Sequence, residues 1–204
     1  MDEESALREI ISRILSLPAD SVDDAAIVAA KIATCRRYSL PIVPKNSAIL
    51  AAAWPEERET LRRILLVKPS RTLSGVAPVA VMTSPYPCPH GKCLPCPGGP
   101  DHPFHSPQSY TGEEPAAKRA REHEYDPFRQ VQARLEQFEM LGHRIDKVEL
   151  IVMGGTMTAR PMEYQEEFVS RCIEAMNTYP GGTPSRQVLP VADMEEANEN
   201  SAIR

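Results

Sequence analysis

Apolar residues recur at Leu7, Ile10, Ile11, Ile14 and Leu15, the spacing of one buried helical stripe. They predict a helix over 3–16 that Leu17-Pro18 ends. An alanine-rich helix is expected over 24–36, with Asp23 or Asp24 near its cap. Leu40 to Pro44 then reads as extended. A third helix starts at Pro55, where proline suits the first turn and Glu56, Glu57 and Glu59 meet the positive end of the helix dipole. Leu61, Ile64 and Leu65 share its inner face, and Arg58, Arg62 and Arg63 point elsewhere. Residues 1–70 therefore read as a small helical module with a basic side.

The period changes at Val76. VAPVAVMT (76–83) is a nearly continuous apolar run, as a strand buried on both faces requires, with Pro78 marking an irregular start. A long polar connection over 98–124 follows. Asp126-Pro127 opens a helix whose stripe is Phe128, Val131, Leu135 and Phe138, and Gly142 closes it. Val148 to Met153 is a second buried strand, ending in Gly154-Gly155-Thr156. Within it Glu149 is expected to need a basic partner. A further helix over 163–177 faces the sheet with Tyr164, Phe168, Val169, Cys172, Ile173 and Met176. The βαβα order predicts an α/β fold with a parallel sheet. Residues 178–192 are turn-rich, and 194–204 read as the approach to a third strand.

Charge changes this picture locally. The chain carries a net charge of −5, which advertises no polyanion. Between Cys35 and Gly75, however, eight basic residues face only Glu56, Glu57 and Glu59, a local net charge of +5. Arg36, Arg37, Arg62, Arg63, Lys68 and Arg71 are the candidates for phosphate contact, against the plainer reading of a solvated helix face. The N-terminal MDEESALREI has no signal-peptide core. The longest apolar run, Ala48 to Trp54, is far shorter than the ~20 residues of a membrane span. A cytoplasmic protein without a membrane segment is the expectation.

The chemistry concentrates in PYPCPHGKCLPCPGGP (85–100), directly after the first strand. Three of the five cysteines stand there, Cys88, Cys93 and Cys96, in a C-x4-C-x2-C spacing. On a Gly/Pro-rich loop they point to a metal centre rather than to a disulfide framework, in keeping with a reducing compartment. Two centres fit the residues. One is an iron–sulfur cluster that three thiolates leave with one open iron. The other is a zinc site completed by His90, His102 or His105. Cys35 and Cys172 read as small buried residues.

This loop, with QSYTGEEPAAKRA (108–120), YDPF (125–128), GHRIDKVELIVMGGT (142–156) and YQEEF (164–168), resembles the catalytic subunit of Elongator, a family of tRNA uridine acetyltransferases of the radical S-adenosylmethionine (SAM) superfamily. The resemblance is closest over 70–177. It implies an incomplete radical-SAM (β/α) barrel over 71–204 behind a basic-faced tRNA-binding module at 1–70, with the carboxyl-terminal acetyltransferase domain absent. It further implies a 4Fe–4S cluster on Cys88, Cys93 and Cys96 and SAM at its open iron, in contact with Gly154, Gly155 and Thr156. Acetyl-CoA is the implied co-substrate, touched by Lys147, and no residue is assigned as catalytic. The implied reaction builds 5-carboxymethyluridine at position 34 of tRNA from acetyl-CoA by way of a 5′-deoxyadenosyl radical. The expected partners are tRNA, acetyl-CoA and the other half of the same enzyme, and the chain alone is expected to be inactive. One departure is Pro95, where the superfamily often has an aromatic residue. The alternative from another class is a metal-stabilised, non-catalytic RNA-binding module. Nothing in these residues supports a histone acetyltransferase.

Overall fold

The computed structural model describes residues 2–18, 21–66, 72–101, 105–155 and 157–204. Among them are helices α1 (Asp2–Leu15), α2 (Asp24–Arg37), α3 (Asn46–Ala51), α4 (Pro55–Leu65), α5 (Pro115–Glu122), α6 (Pro127–Met140), α7 (Met162–Asn177) and α8 (Val191–Asn198), and strands β1 (Val76–Met82) and β2 (Lys147–Met153). The chain divides into two compact units. The first is Met1–Leu73 with Phe138–Arg144, and the second is Ser74–Gln137 with Ile145–Arg204. No described helix is long and apolar enough to cross a membrane.

The first unit is helical. Ile10, Ile11 and Ile14 of α1 are fully buried against Ile49, Leu61 and Leu65. Asp23 caps α2 by accepting the Ala26 N–H at 2.7 Å. At the start of α4, the Glu57 carboxylate accepts the Trp54 N–H at 3.0 Å and takes both Arg8 guanidinium nitrogens at 2.8 Å. Arg8 also lies 3.7 Å over the Trp54 ring, so one fork ties α1 to the α4 entry. The short α3 overlaps the start of the apolar 48–54 run, and its Ile49 and Leu50 complete the core. Asn46 at its start donates to Leu65 O at 2.9 Å and accepts from the buried Lys31, whose pKa burial lowers.

The second unit is a parallel β1–β2 pair in register from Val76↔Lys147 to Met82↔Met153. Thr83 extends the ladder by donating to Met153 O at 2.9 Å. By strand alternation the missing N–H of Pro78 then faces away from β2, where it interrupts nothing. On that same outer edge the buried Gln130 amide of α6 caps Met82, accepting its N–H at 2.8 Å and donating to its carbonyl at 3.0 Å. The stripe Phe128, Val131, Leu135 and Phe138 of α6 is buried throughout.

Four expectations change. β2 is not doubly buried: Ile151 is 40% and Val152 36% exposed, since β1 covers one edge only. Glu149 is exposed as well and needs no basic partner. The 98–124 connection contains α5, nucleated by Pro115 and by Glu114, which accepts from the Thr111 and Gly112 N–H groups. The 194–204 segment begins as α8, which Asn177 holds by donating to Met194 O at 2.9 Å. Asn198 then gathers Ile203, and Arg204 brackets Lys147, donating to Asp146 O at 3.2 Å and accepting from Val148 at 2.6 Å. That is the hydrogen-bond pattern of a parallel neighbour on the outer edge of β2.

Candidate metal and cofactor site

The cysteine loop leaves the carboxyl end of β1, where parallel α/β folds place their ligand-binding loops. Arg160, just past β2, anchors its entry. The guanidinium donates to Ser84 O at 3.1 Å and Ser84 Oγ at 3.0 Å, and it lies between the rings of Tyr86 (4.4 Å) and Tyr164 (3.6 Å). The loop then makes two turns, closed by Gly91 N–H to Cys88 O and by Cys96 N–H to Cys93 O, both at 3.0 Å.

A second segment, 106–110, packs onto the loop. Gly99 donates to Ser106 O at 2.9 Å, and Gly98 lies so close that a Cβ there would sit 2.1 Å from Tyr110 O. The result places the Ser109 N–H 3.1 Å from Cys96 Sγ. That hydrogen bond favours the thiolate and holds the Cys96 thiol below its ordinary pKa. His90 Nε2 lies 3.1 Å from Cys93 Sγ.

Cys88, Cys93 and Cys96 line one cavity of about 380 Å³, together with His90, Gln108, Ser109 and Gly155. Among the described residues no three His, Cys, Asp or Glu side chains gather closely enough for a single ion. A four-coordinate zinc needs every ligand within about 2.3 Å of the metal, whereas a polynuclear cluster accepts thiolates around its perimeter. Three thiols, one with a lowered pKa, line a space large enough for a polynuclear cluster.

The other predicted site residues fall in different places. Gly155 reaches the cavity, where its missing side chain makes room: a Cβ would meet Gln108 O at 2.7 Å. Thr156 and His102 lie outside the described residues, as do Lys68 and Arg71. Lys147 is exposed at the opposite end of β2 from Gly154, roughly 20 Å away at ~3.3 Å per strand residue. In the helical unit, Arg36 and Arg37 occupy the last turn of α2 and Arg62 and Arg63 that of α4. Arg37 pairs with Glu9 at 3.2 Å and Arg63 with Glu59 at 3.3 Å, both exposed arginines. Sequence reading did not single out Ser109 as a thiolate partner, Gln108 as a cavity wall, or Arg160. Each acts through loop packing that has no periodic signature.

Residues 3–73 match the family described as the ELP3 N-terminal domain. A tRNA uridine(34) acetyltransferase of Methanocaldococcus infernus is 51% identical over 99% of this chain and 37% of its own length. Elongator complex protein 3 of Homo sapiens is 47% identical over 72% of this chain and 28% of its own. A solved structure, the archaeal Methanocaldococcus infernus Elp3 with N-terminus deletion (1-46), is 34% identical with a TM-score of 0.42, over 64% of this chain and 21% of that one. The chain spans about a third of the length of the curated relatives it matches. Matched along nearly its whole length at this identity, the chain belongs to the Elongator complex protein 3 family and corresponds to the amino-terminal part of its members.

Proposed function

We propose that this chain is the tRNA-holding and cluster-bearing part of a tRNA wobble-uridine acetyltransferase that forms 5-carboxymethyluridine at position 34. The observation that carries the reading is the single cavity lined by Cys88, Cys93, Cys96 and Gly155 at the carboxyl end of a parallel strand pair. In this reading the three thiolates hold a 4Fe–4S cluster, within an α/β unit that belongs to a radical-SAM barrel. When bound, cluster and SAM supply one-electron reductive cleavage of the sulfonium.

The chain's own residues have defined tasks. The Ser109 N–H lowers the pKa of Cys96, which favours the thiolate that ligation requires. Arg160 fixes the start of the loop against the β2 exit, so thiolates and glycine turn keep one geometry. Gly155 lets the backbone approach a ligand closely, with Thr156 beside it. Arg36, Arg37, Arg62, Arg63, Lys68 and Arg71 meet tRNA phosphate. Lys147, a strand's length from the cavity, suits the phosphate end of acetyl-CoA rather than its acetyl group. Activity of the whole enzyme also requires the acyl-transferring portion that the longer relatives carry beyond this match.

The test is metal identity. After anaerobic reconstitution with iron and sulfide, the chain is expected to hold iron and acid-labile sulfide near four of each. Cys88→Ala, Cys93→Ala and Cys96→Ala should each lose most of both. Tightly held zinc with no labile sulfide would instead establish the non-catalytic RNA-binding alternative.

A further inference from the structure

We infer that His90 donates a hydrogen bond to the Cys93 thiolate and thereby raises the reduction potential of the bound cluster, rather than serving as a metal ligand itself. The inference rests on the cluster reading above and gives a task to a residue that the cysteine spacing leaves unassigned.

Local geometry brings the two side chains together. The Gly91 N–H donates to Cys88 O at 3.0 Å and closes a turn with Pro89 and His90 at its centre. Pro89 supplies the fixed φ that the first inner position takes, and Gly91 leaves the turn at φ +86, a conformation that glycine adopts without strain. Across this reversal His90 Nε2 comes 3.1 Å from Cys93 Sγ, and both residues line the cavity. Two ligands of one tetrahedral zinc, at about 2.1 and 2.3 Å from the metal, stand roughly 3.6 Å apart. The observed separation is shorter than that and is a hydrogen-bond distance.

Ligation fixes which atom donates. Nε2 gives or takes a hydrogen according to the ring's tautomer, and a thiol does either as well. A thiolate bound to iron has no hydrogen left to give, so Cys93 then only accepts and Nε2 carries the hydrogen. Reduction adds negative charge that the thiolates share, and a donor on a ligating sulfur favours that state. Hydrogen bonds to the sulfurs are accordingly among the determinants of cluster potentials. Cys96 has such a donor in the Ser109 N–H at 3.1 Å, a backbone group that side-chain exchange leaves in place. His90 offers the same contact from a side chain, so its contribution can be removed alone.

The test is a potentiometric titration, followed by electron paramagnetic resonance at one fixed pH, of the full chain reconstituted with iron and sulfide. His90→Ala removes the donor, and His90→Gln keeps a side-chain N–H at a similar reach. Iron and labile sulfide should match the unaltered chain in both. The alanine variant should favour the oxidised state about three- to tenfold more, a midpoint lower by roughly 30 to 60 mV at about 59 mV per tenfold for one electron. The glutamine variant should recover most of that shift. If the alanine variant assembles too little cluster to titrate, His90→Phe, a ring without a donor, is read in its place. An unchanged midpoint without the donor, or a glutamine variant shifted as far as the one without it, would overturn the assignment while the cluster reading stood. Loss of iron from all three variants would do the same, by making His90 a ligand. An unaltered chain that holds zinc without labile sulfide would overturn both.

Discussion

The Ser109 backbone N–H donates to Cys96 Sγ at 3.1 Å, so a residue thirteen positions later in the chain lowers the pKa of a thiol in the candidate metal site. Cys172 shows the opposite case, a fully buried thiol whose pKa burial pushes up. Iodoacetamide labelling of the metal-free native chain near pH 7, followed by peptide mass spectrometry, should therefore modify the 88–96 peptide and spare Cys172 until denaturant is added. Early labelling of Cys172 would contradict this account.

Gly154 turns the chain out of β2 with φ +117, and a Cβ there would lie 2.1 Å from Thr83 Oγ1. Gly154→Ala meets both a clash and an unfavourable backbone, and should destabilise the second unit by at least about 3 kcal/mol. Thr83→Ala in the same chain should recover little, because the backbone conformation is unchanged. Denaturant melts of the two variants check this.

Strong apolar stripes made much of this fold legible beforehand. α1, α2, β1, α6 and α7 begin and end within a residue or two of where periodicity and caps put them, and α4 begins at the predicted Pro55. The missed helices α3, α5 and α8 lack such stripes, and α3 is only six residues long with Ile49 and Leu50 buried. α5 buries only Ala117 and Ala120 along its length, and α8 only Met194. β2 misled for another reason: KVELIVM has the apolar run of a buried strand, but burial depends on neighbours that a run of residues does not specify. The site divides the same way. Cysteine spacing marked the three thiols that share one cavity, whereas Ser109, Gln108 and Arg160 join the site through contacts between separate loops.

The Arg8–Glu57 fork makes the helical unit sensitive to acid. Hydrogen bonding from Arg8 holds the Glu57 carboxyl below the usual carboxylate range. The unfolded chain therefore takes up that proton first as pH falls. The stabilisation is complete above the ordinary carboxylate pKa and is lost as pH falls through the lowered one. Glu57→Gln should cost about 1–3 kcal/mol at pH 7, and the difference should close as pH falls below the usual carboxylate range. A difference independent of pH would contradict this.

Arg37 and Arg63 are each held by a carboxylate, Glu9 and Glu59, that tRNA phosphate would have to displace under the proposed function. Glu9→Gln and Glu59→Gln should tighten tRNA binding, whereas Arg36→Ala and Arg62→Ala should weaken it. Each arginine lost from a phosphate contact should also reduce the log–log salt slope by about 1. Filter binding across a salt series measures both effects, and an unchanged slope in every arginine variant would remove this face from the tRNA interface.

The most direct test of the central claim is electron paramagnetic resonance of the reconstituted, dithionite-reduced chain with and without SAM. A reduced 4Fe–4S signal whose g-values shift on adding SAM is the predicted result, because an iron without a protein ligand is open to the cofactor. A chain that assembles no cluster, or one whose cluster signal SAM leaves untouched, would contradict it.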